Sequence, residues 1–493
     1  MKLSVSRSLL LALAILCVAT SAEAQTKLAP GPLTFMPPAA DGDTPDQPLL
    51  STSMPAFQVT NRPCDGCPPR RVWRSLFQTT WINVVYGLTN LMRGHDTAKI
   101  TPKTWWDNMK AGWEWDLNDF KTNQFGHPYQ GNNYYTAARS NGMNFWEAGA
   151  VAAFGSATWE YFGETNDASL NDFINTTLGG IALGEMFHRT AWLIRDTQKT
   201  GKPRMWSEIF ATAIDPMSGF NRFTTGDAGK VMPKPAEMVP SKLGMFGTVG
   251  AVWHGDEQGG FSSSEVDPFM EVDLHYGDFK VGQKIPYDAF VVRLGFGGGG
   301  GLSETRVRGR VLGKGVKDGS VQLAVAQGFS YNSNNAYQFG AQSFDFIMGF
   351  TSSLSSTLSM QGAAGGGVTV LGAVNTDVIE EPDEPEDPHS VIPTSRDYDY
   401  GPGSNAAAAF NLLHRGRPLF RAEYELHHLH IIDGTRANYL LQRFRVDLNV
   451  PLKGRLGAGA TGDYLRRQTF YQNGTKSRLR FPEIRVFLSW SVQ

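Results

Sequence analysis

The stretch ANYLLQRFRVDLN at residues 437–449 decides the fold class. Leu440, Phe444, Val446 and Leu448 alternate with Arg443, Arg445 and Asp447, the period-2 pattern of a strand with one apolar and one charged face. The same alternation recurs upstream. Val307 and Val311 fall among Arg306, Arg308 and Arg310, and Met270, Val272, Leu274 and Tyr276 alternate with Glu271, Asp273 and His275. Working outward from these, twelve candidate strands lie near 245–254, 266–277, 288–297, 302–314, 319–331, 336–350, 355–375, 398–413, 418–430, 437–449, 454–467 and 478–490. Strands of about 10–15 residues are long enough to cross a bilayer when tilted.

A soluble β-domain buries the apolar face, whereas a membrane barrel turns it to lipid and keeps charges in the lumen. The connections favour the barrel. With both ends periplasmic, turns after even strands face inward, and KGVKDGS, TSSLS, HRGRP and VPLK after strands 4, 6, 8 and 10 are short. The acidic, Pro-rich TDVIEEPDEPEDPHSVIPTSRDYD follows strand 7 and would lie outside the cell. Two features fit less well: GDFKVGQKIPY after strand 2 is long for a periplasmic turn, and the chain stops at WSVQ rather than on an aromatic. The lumen would place Arg306, Arg308, Arg310, Arg421, Arg443 and Arg445 against Glu271, Asp273, Glu423, Glu425 and Asp447. Mixed signs at that density make a salt-bridged interior rather than an open pore, and a twelve-stranded lumen is narrow. The expected fold class is α+β: an N-terminal helical module, residues 71–243, followed by a C-terminal antiparallel β-barrel of about 12 strands, residues 244–493, of outer-membrane type.

The N-terminus agrees with export. Residues 1–24 have the form of a signal peptide: Lys2 and Arg7, the apolar run LLLALAILCVAT, then Ala22-Glu23-Ala24. Residues 25–70, rich in Pro, Asp, Ser and Thr, read as a flexible leader. Within it Cys64 and Cys67 can close a tight local disulfide in an oxidising compartment. A redox role would need a thioredoxin-like unit, and a zinc site two more ligands; neither is in evidence around Pro63, Pro68 and Pro69. A net charge of −2 argues against a nucleic-acid partner. The partners expected are outer-membrane lipid and a periplasmic protein or lipid ligand.

In the helical module, Trp73, Phe77, Trp81, Val84, Leu88 and Leu91 recur at helical spacing and predict a helix over 71–92 with that face buried. Thr104 is the expected N-cap of a shorter helix, WWDNMKAGW. A helix over 144–162 carries Ala148, Gly149, Ala152, Ala153, Ser156, Ala157 and Glu160 on one side. A second, over 169–193, starts at Ser169 with Asp172 and bears the small stripe Thr176, Gly180 and Gly184. The two stripes predict a close antiparallel hairpin. Glu160 would then be buried at the contact, with Arg139, His188 and Arg189 as candidate partners. A buried polar network of Arg139, Glu147, Asp172, Glu185 and Arg189 is expected. Candidate catalytic groups are Glu160, Glu164 and His188, or His127 and Asp116. Glu185 and His188 form one Glu-x-x-His pair, but a di-iron bundle needs two such pairs and two further acids. No metal and no cofactor are expected.

The run WWDNMKAGWEWDLNDFKTNQFGHPYQGNNYYTAARSNGMNFWE, with WEYFGET, SLNDFINTTLGGIALGEMFHR and Asn221-Arg222, resembles a bacterial envelope family known as domain of unknown function 3943. The resemblance covers roughly residues 75–225. It implies that His127, Pro128, Tyr129, Glu160, Glu164, Asp172 and Glu185 occupy motif positions, and it implies no activity. SLNDFINTTLGG is also faintly similar to small periplasmic and VanZ-like helical hairpins.

Two function classes follow. One is a non-enzymatic envelope protein with a structural, lipid-binding or partner-binding helical module in the periplasm. The other is an outer-membrane enzyme acting on lipid or envelope polymer through a Glu/His/Asp site in that module. SYNSNNAYQFG lacks the histidine of a barrel-phospholipase motif, and no Gly-x-Ser-x-Gly elbow occurs. His414, His427, His428 and His430, on or beside strands 8 and 9, leave a hidden triad open.

Overall fold

The computed structural model describes residues 66–261, 266–279, 285–297, 301–316, 320–333, 337–376 and 397–492. The signal peptide, Cys64 and most of the acidic loop lie outside the described residues. Cys67 is disulfide-bonded.

Twelve antiparallel strands form a closed barrel: β1 Leu243–His254, β2 Val266–Tyr276, β3 Phe290–Gly297, β4 Gly301–Val316, β5 Val321–Ser333, β6 Gln338–Ser353, β7 Leu358–Asn375, β8 Tyr398–His414, β9 Arg417–His430, β10 Ala437–Pro451, β11 Leu456–Tyr471 and β12 Lys476–Val492. Each pairs with its sequence neighbour, and β12 closes on β1 with Val492 opposite Met245 and Glu483 opposite His254. Closure leaves no open edge, so every ladder is satisfied within the sheet.

The alternation seen in the sequence sorts the two faces. Arg293 on β3 reaches Glu423 on β9 at 2.9 Å, Arg445 on β10 reaches Glu271 on β2 at 2.8 Å, and Arg443 reaches Glu304 on β4 at 3.2 Å. These strands are not neighbours, so the charged face is the lumen and the pairs cross it. The opposite face carries exposed Phe344, Phe346, Met348 and Phe350 on β6, Phe444, Leu448 and Val450 on β10, and Ile484, Val486 and Leu488 on β12. Apolar out and charged in is the membrane-barrel arrangement.

The module contains α1 Val72–Met92, α2 Pro102–Ala111, α3 His127–Ser140, α4 Phe145–Phe162, α5 Leu170–Ile174, α6 Gly180–Ile194, α7 Gly201–Ile214 and α8 Pro216–Thr224. A π-helical turn, Thr122–Gly126, leads into α3, and another, Asn175–Gly179, joins α5 to α6. No described helix is long and apolar enough to cross a membrane.

Four local expectations change. The helix over 72–92 is turned the other way: Trp73 and Phe77 are 84% and 68% exposed, while Ser75, Gln78, Thr79 and Ile82 are buried. Its inner contacts are mixed: Ile82 joins the core with Val72, Leu76 and Tyr86 packed against it, while Gln78 Nε2 donates to Asn221 Oδ1 at 2.5 Å and Asn83 Nδ2 to the Gly155 carbonyl at 3.1 Å. The N-cap of α2 is Thr101, not Thr104; Pro102 follows it, and Thr104 completes the capping box. The stripe on α5–α6 packs on α3 rather than on α4. A Cβ on Gly131 would lie 1.8 Å from the Thr176 carbonyl oxygen, and one on Gly180 would lie 2.5 Å from the Gly131 carbonyl carbon. Only glycine permits that backbone approach. Glu147 does not join the buried network; it closes the α4 capping box with Asn144 and pairs with Arg70 at 2.7 Å.

The module packs on the outside of the barrel wall. Val272, Leu274 and Tyr276 on β2, Val292 and Leu294 on β3, Val307 on β4 and Phe329 on β5 share the outward parity, yet all are buried and form one core with Phe120, Tyr135, Phe145, Leu183 and Phe187. The α5–α6 helix runs along the wall. Asn171 at its start meets Tyr400 near the start of β8, the Leu178 carbonyl accepts from Gln327 in mid-β5, and Arg189 meets the Pro286 carbonyl below β3. It therefore covers the barrel's full height.

Candidate functional site

Five of the sequence candidates converge at the upper end of this seam. The π turn at Thr122–Gly126 delivers His127 to the first position of α3. The last turn of α4 supplies Glu160, and Glu164 follows the end of that helix. Ser169 caps α5 by accepting from the Asp172 N–H at 3.3 Å, which turns Asp172 inward. Asp116 sits in the segment before α3. π-helical turns are frequent at functional sites because the extra residue re-aims side chains. Here one stands beside His127 and the other follows Asp172.

His127 Nε2 is 3.6 Å from Asp172 Oδ2, while Nδ1 lies 3.2 Å from Thr176 Oγ1. Asp172 Oδ1 accepts from Asn171 Nδ2 at 2.8 Å. Glu160 Oε2 accepts from the Ser169 N–H at 2.9 Å, and Glu160 Oε1 has no hydrogen-bond partner. Glu164 Oε1 accepts from Trp159 Nε1 at 3.0 Å. Asp116 Oδ2 accepts from the Asn118 N–H at 2.9 Å and from Asn123 Nδ2 at 3.1 Å. Burial, and then the charges of Asp172 and Glu164, push the Glu160 carboxyl well above the ordinary carboxylate range. Burial raises Glu164 as well, and lowers His127 against the pull of Glu164 and Asp116.

The barrel itself holds the second layer of this cluster. Asn171 Nδ2 donates to Tyr400 OH at 3.2 Å, and Gln124 Nε2 to the same hydroxyl at 2.9 Å. Asn123 Nδ2 donates to Tyr398 OH at 2.7 Å, and that hydroxyl donates to the Asn118 carbonyl at 2.8 Å. Asn171, Asn123, Thr176, Tyr398 and Tyr400 were not legible as site residues. The one sequence signal was the spacing of Tyr398 and Tyr400, two apart on one face of a strand.

The other candidates lie elsewhere. Arg139 and Arg189 do not reach Glu160, because both are committed to Glu185. Arg139 Nε donates to Glu185 Oε2 at 2.8 Å, Arg189 Nε to Oε1 at 2.8 Å, and Tyr135 OH to Oε2 at 2.8 Å. Burial pushes the Glu185 carboxyl up, but the two guanidiniums outweigh it and hold it at about 2. His188 Nδ1 pairs with Asp215 Oδ2 at 2.8 Å, and Asp215 also caps α8 through the Ser218 N–H. The His188 imidazole thus braces a helix start and is not part of the cluster.

In the lumen, Arg306 meets Glu425 at 2.5 Å, Arg421 meets Asp273 at 2.6 Å and Arg308 lies 3.6 Å from Asp345. Arg310 pairs with Asp288 at 2.7 Å. Above this charged band Tyr337, Phe339, Leu429, Ile431, Tyr439, Leu441, Leu465 and Phe481 form an apolar cluster at the strand ends opposite the barrel's termini. Below it a cavity of about 590 Å³ opens among the other strand ends, lined by Asp273, Arg293, Arg308, Ala407 and Arg421. His427 lies against Phe339, with ring centroids 4.6 Å apart, and His430 Nδ1 is 2.8 Å from Asn438 Oδ1.

Residues 112–217 match the model of a family described as a domain of unknown function, DUF3943. The match falls inside the range expected from the motifs and contains Asp116, His127, Glu160, Glu164 and Asp172. None of the curated proteins compared with the chain matches it. Among solved structures, a NanC porin is 9% identical with a TM-score of 0.26, and the alignment covers 50% of this chain and 99% of that one. A mutant of the Rh. blastica porin is 6% identical with a TM-score of 0.17, covering 51% and 99%. Scores at that level carry no argument, and the barrel stands on its own strand pairing.

Proposed function

We propose that this chain is an outer-membrane protein whose barrel is a closed scaffold and whose helical module, carried on the barrel's outer wall at the level of the bilayer, is the functional part, binding a lipid or an envelope partner. The observation that carries this reading is the reversal on α1. Trp73, Phe77, Trp81, Val85, Leu88 and Met92 face outward, beside a barrel whose uncovered outer wall is also apolar. Water would make both surfaces costly, and lipid makes both favourable. A bilayer neighbour also explains why the inner side of α1 can be partly polar, since helices meeting in lipid gain from interhelical hydrogen bonds.

A nitroxide placed at Trp81→Cys in reconstituted protein tests the position of the module. Collision with oxygen should exceed collision with a water-soluble nickel chelate. Greater access to the chelate would put α1 in water and overturn the reading. A second reading, an enzyme acting on lipid or envelope polymer, is favoured by the acid–imidazole cluster. Product released from phospholipid or peptidoglycan by the wild type, and not by Glu160→Gln or His127→Gln, would move that reading ahead.

A further inference from the structure

The cluster beside α3 brings together an imidazole and two carboxylates, and one carboxylate oxygen is left over. One ligand atom each from His127, Glu160 and Asp172 lies within 4.8 Å of the others, and all three residues are buried. Glu160 is only 5% exposed, and its Oε1 has no partner although its neighbours are other acids. A buried oxygen in that position calls for a proton or a cation.

The surroundings favour a cation. Thr176 Oγ1 lies beside His127 Nδ1 and can accept from it; in that tautomer Nε2 offers its lone pair on the side of Asp172 Oδ2. Asn171 holds Asp172 Oδ1, and the Ser169 N–H holds Glu160 Oε2. Asp172 and Glu160 are thus each held through one oxygen, and the partnerless Glu160 Oε1 lies in the same cluster as His127 and Asp172. That division of labour is the ordinary support of a metal site.

We propose that His127 Nε2, Glu160 Oε1 and Asp172 Oδ2 bind a divalent first-row transition ion, with Glu164 and Asp116 adding negative charge around it. One nitrogen and two oxygens suit zinc, manganese or iron(II) better than calcium, which takes oxygen ligands only. Bonds to such an ion are about 2.0–2.2 Å, so the three atoms close onto it by small side-chain rotations. Three protein ligands leave room for a water or a substrate oxygen, which such an ion polarises. The proposal departs from the expectation of no metal. It stands independently of where the module sits relative to the bilayer.

The test uses the full chain purified in detergent, with its fold checked by the mobility shift of an unheated barrel. Metal content is measured by mass spectrometry, then affinity by titration of chelator-treated protein with zinc, manganese(II) and iron(II). One ion per chain is expected, with calcium and magnesium failing to compete. Folded Glu160→Gln, Asp172→Asn and His127→Gln variants should each lose at least about 100-fold in affinity, and Thr176→Val about 10–100-fold. Asp107→Asn, on the exposed face of α2, should change nothing. Cobalt-loaded protein should show visible absorption that His127→Gln alters. Folded wild-type protein that binds none of the three ions overturns the proposal, and so does an unchanged affinity in Glu160→Gln. Absent metal together with a stabilised Glu160→Gln would assign the oxygen to a buried proton instead.

Discussion

At the scale of single residues, two buried glutamates on the same module meet opposite fates. Glu185 is saturated by Arg139, Arg189 and Tyr135, whereas Glu160 has one backbone donor and acidic neighbours. Removing one partner of a buried ion pair typically costs about 3–5 kcal/mol, because the remaining charges stay desolvated. Glu185→Gln should therefore lower the melting temperature of the module by several degrees or more. Glu160→Gln should not do so in metal-free protein. The sign of the pH dependence follows from the depressed value at Glu185. Its stabilisation is fully present above the unfolded value of about 4.3 and is lost as pH falls toward about 2. Acid melting curves of the wild type should fall across that window, and those of Glu185→Gln should be flatter there.

At the scale of elements, the meeting of α3 with α5–α6 is set by glycine against backbone. Gly131→Ala places a methyl where the Thr176 carbonyl now lies, and overpacking of this kind costs about 1–3 kcal/mol or more. Gly180→Ala should behave similarly. Gly149→Ala on α4 meets only the Ile181 side chain, at 3.1 Å, which can yield. It should be neutral or gain about 0.5–1 kcal/mol from helix propensity. Denaturation of the three variants checks this, and a reversed order would restore α4 as the partner of the stripe. On α1, Phe77→Lys puts a charge on the outward face. In lipid such a charge costs about 2.5–3.5 kcal/mol near the midplane, so membrane yield should drop while the barrel's mobility shift persists.

At the scale of the whole molecule, the barrel is both scaffold and wall. Its arginine–carboxylate pairs join strands across the lumen, and the apolar cluster of Tyr337, Phe339, Leu429 and Phe481 closes one end. Planar-bilayer recordings should accordingly show no steady porin-like conductance, and a stable open channel of porin size would contradict the closed lumen. The barrel's own Tyr398 and Tyr400 also reach the module's cluster through Asn123, Gln124 and Asn171. Replacing both tyrosines with Phe removes these hydroxyls at about 1 kcal/mol per hydrogen bond. That change should weaken ion binding at His127 without unfolding the barrel.

The sequence by itself determined the barrel. Period-2 alternation, or a Gly/Ala-rich variant of it, over twelve segments specifies strands, and a one-residue slip would exchange the two faces of a strand, so register is written locally; which face turns inward is read from the lengths of the connections. It also determined which of the module's acids and histidines deserved weight, since they sit in unbroken motifs. What it could not decide was which way each helix faces. The 3.6-residue period marks the apolar face of α1 whether that face meets a protein core or lipid, and only the packed barrel shows that it lies outside. Nor could spacing assign Arg139 and Arg189 to Glu185 rather than Glu160, or the glycine stripe to α3 rather than α4. Arg189 lies one helical turn from Glu185, but Arg139 and the α3 glycine lie tens of positions from their partners, and Tyr398 and Tyr400 lie more than two hundred positions from the asparagines they hold. Such contacts have no period to read; they exist only once the chain has closed its barrel and laid the helices along the wall.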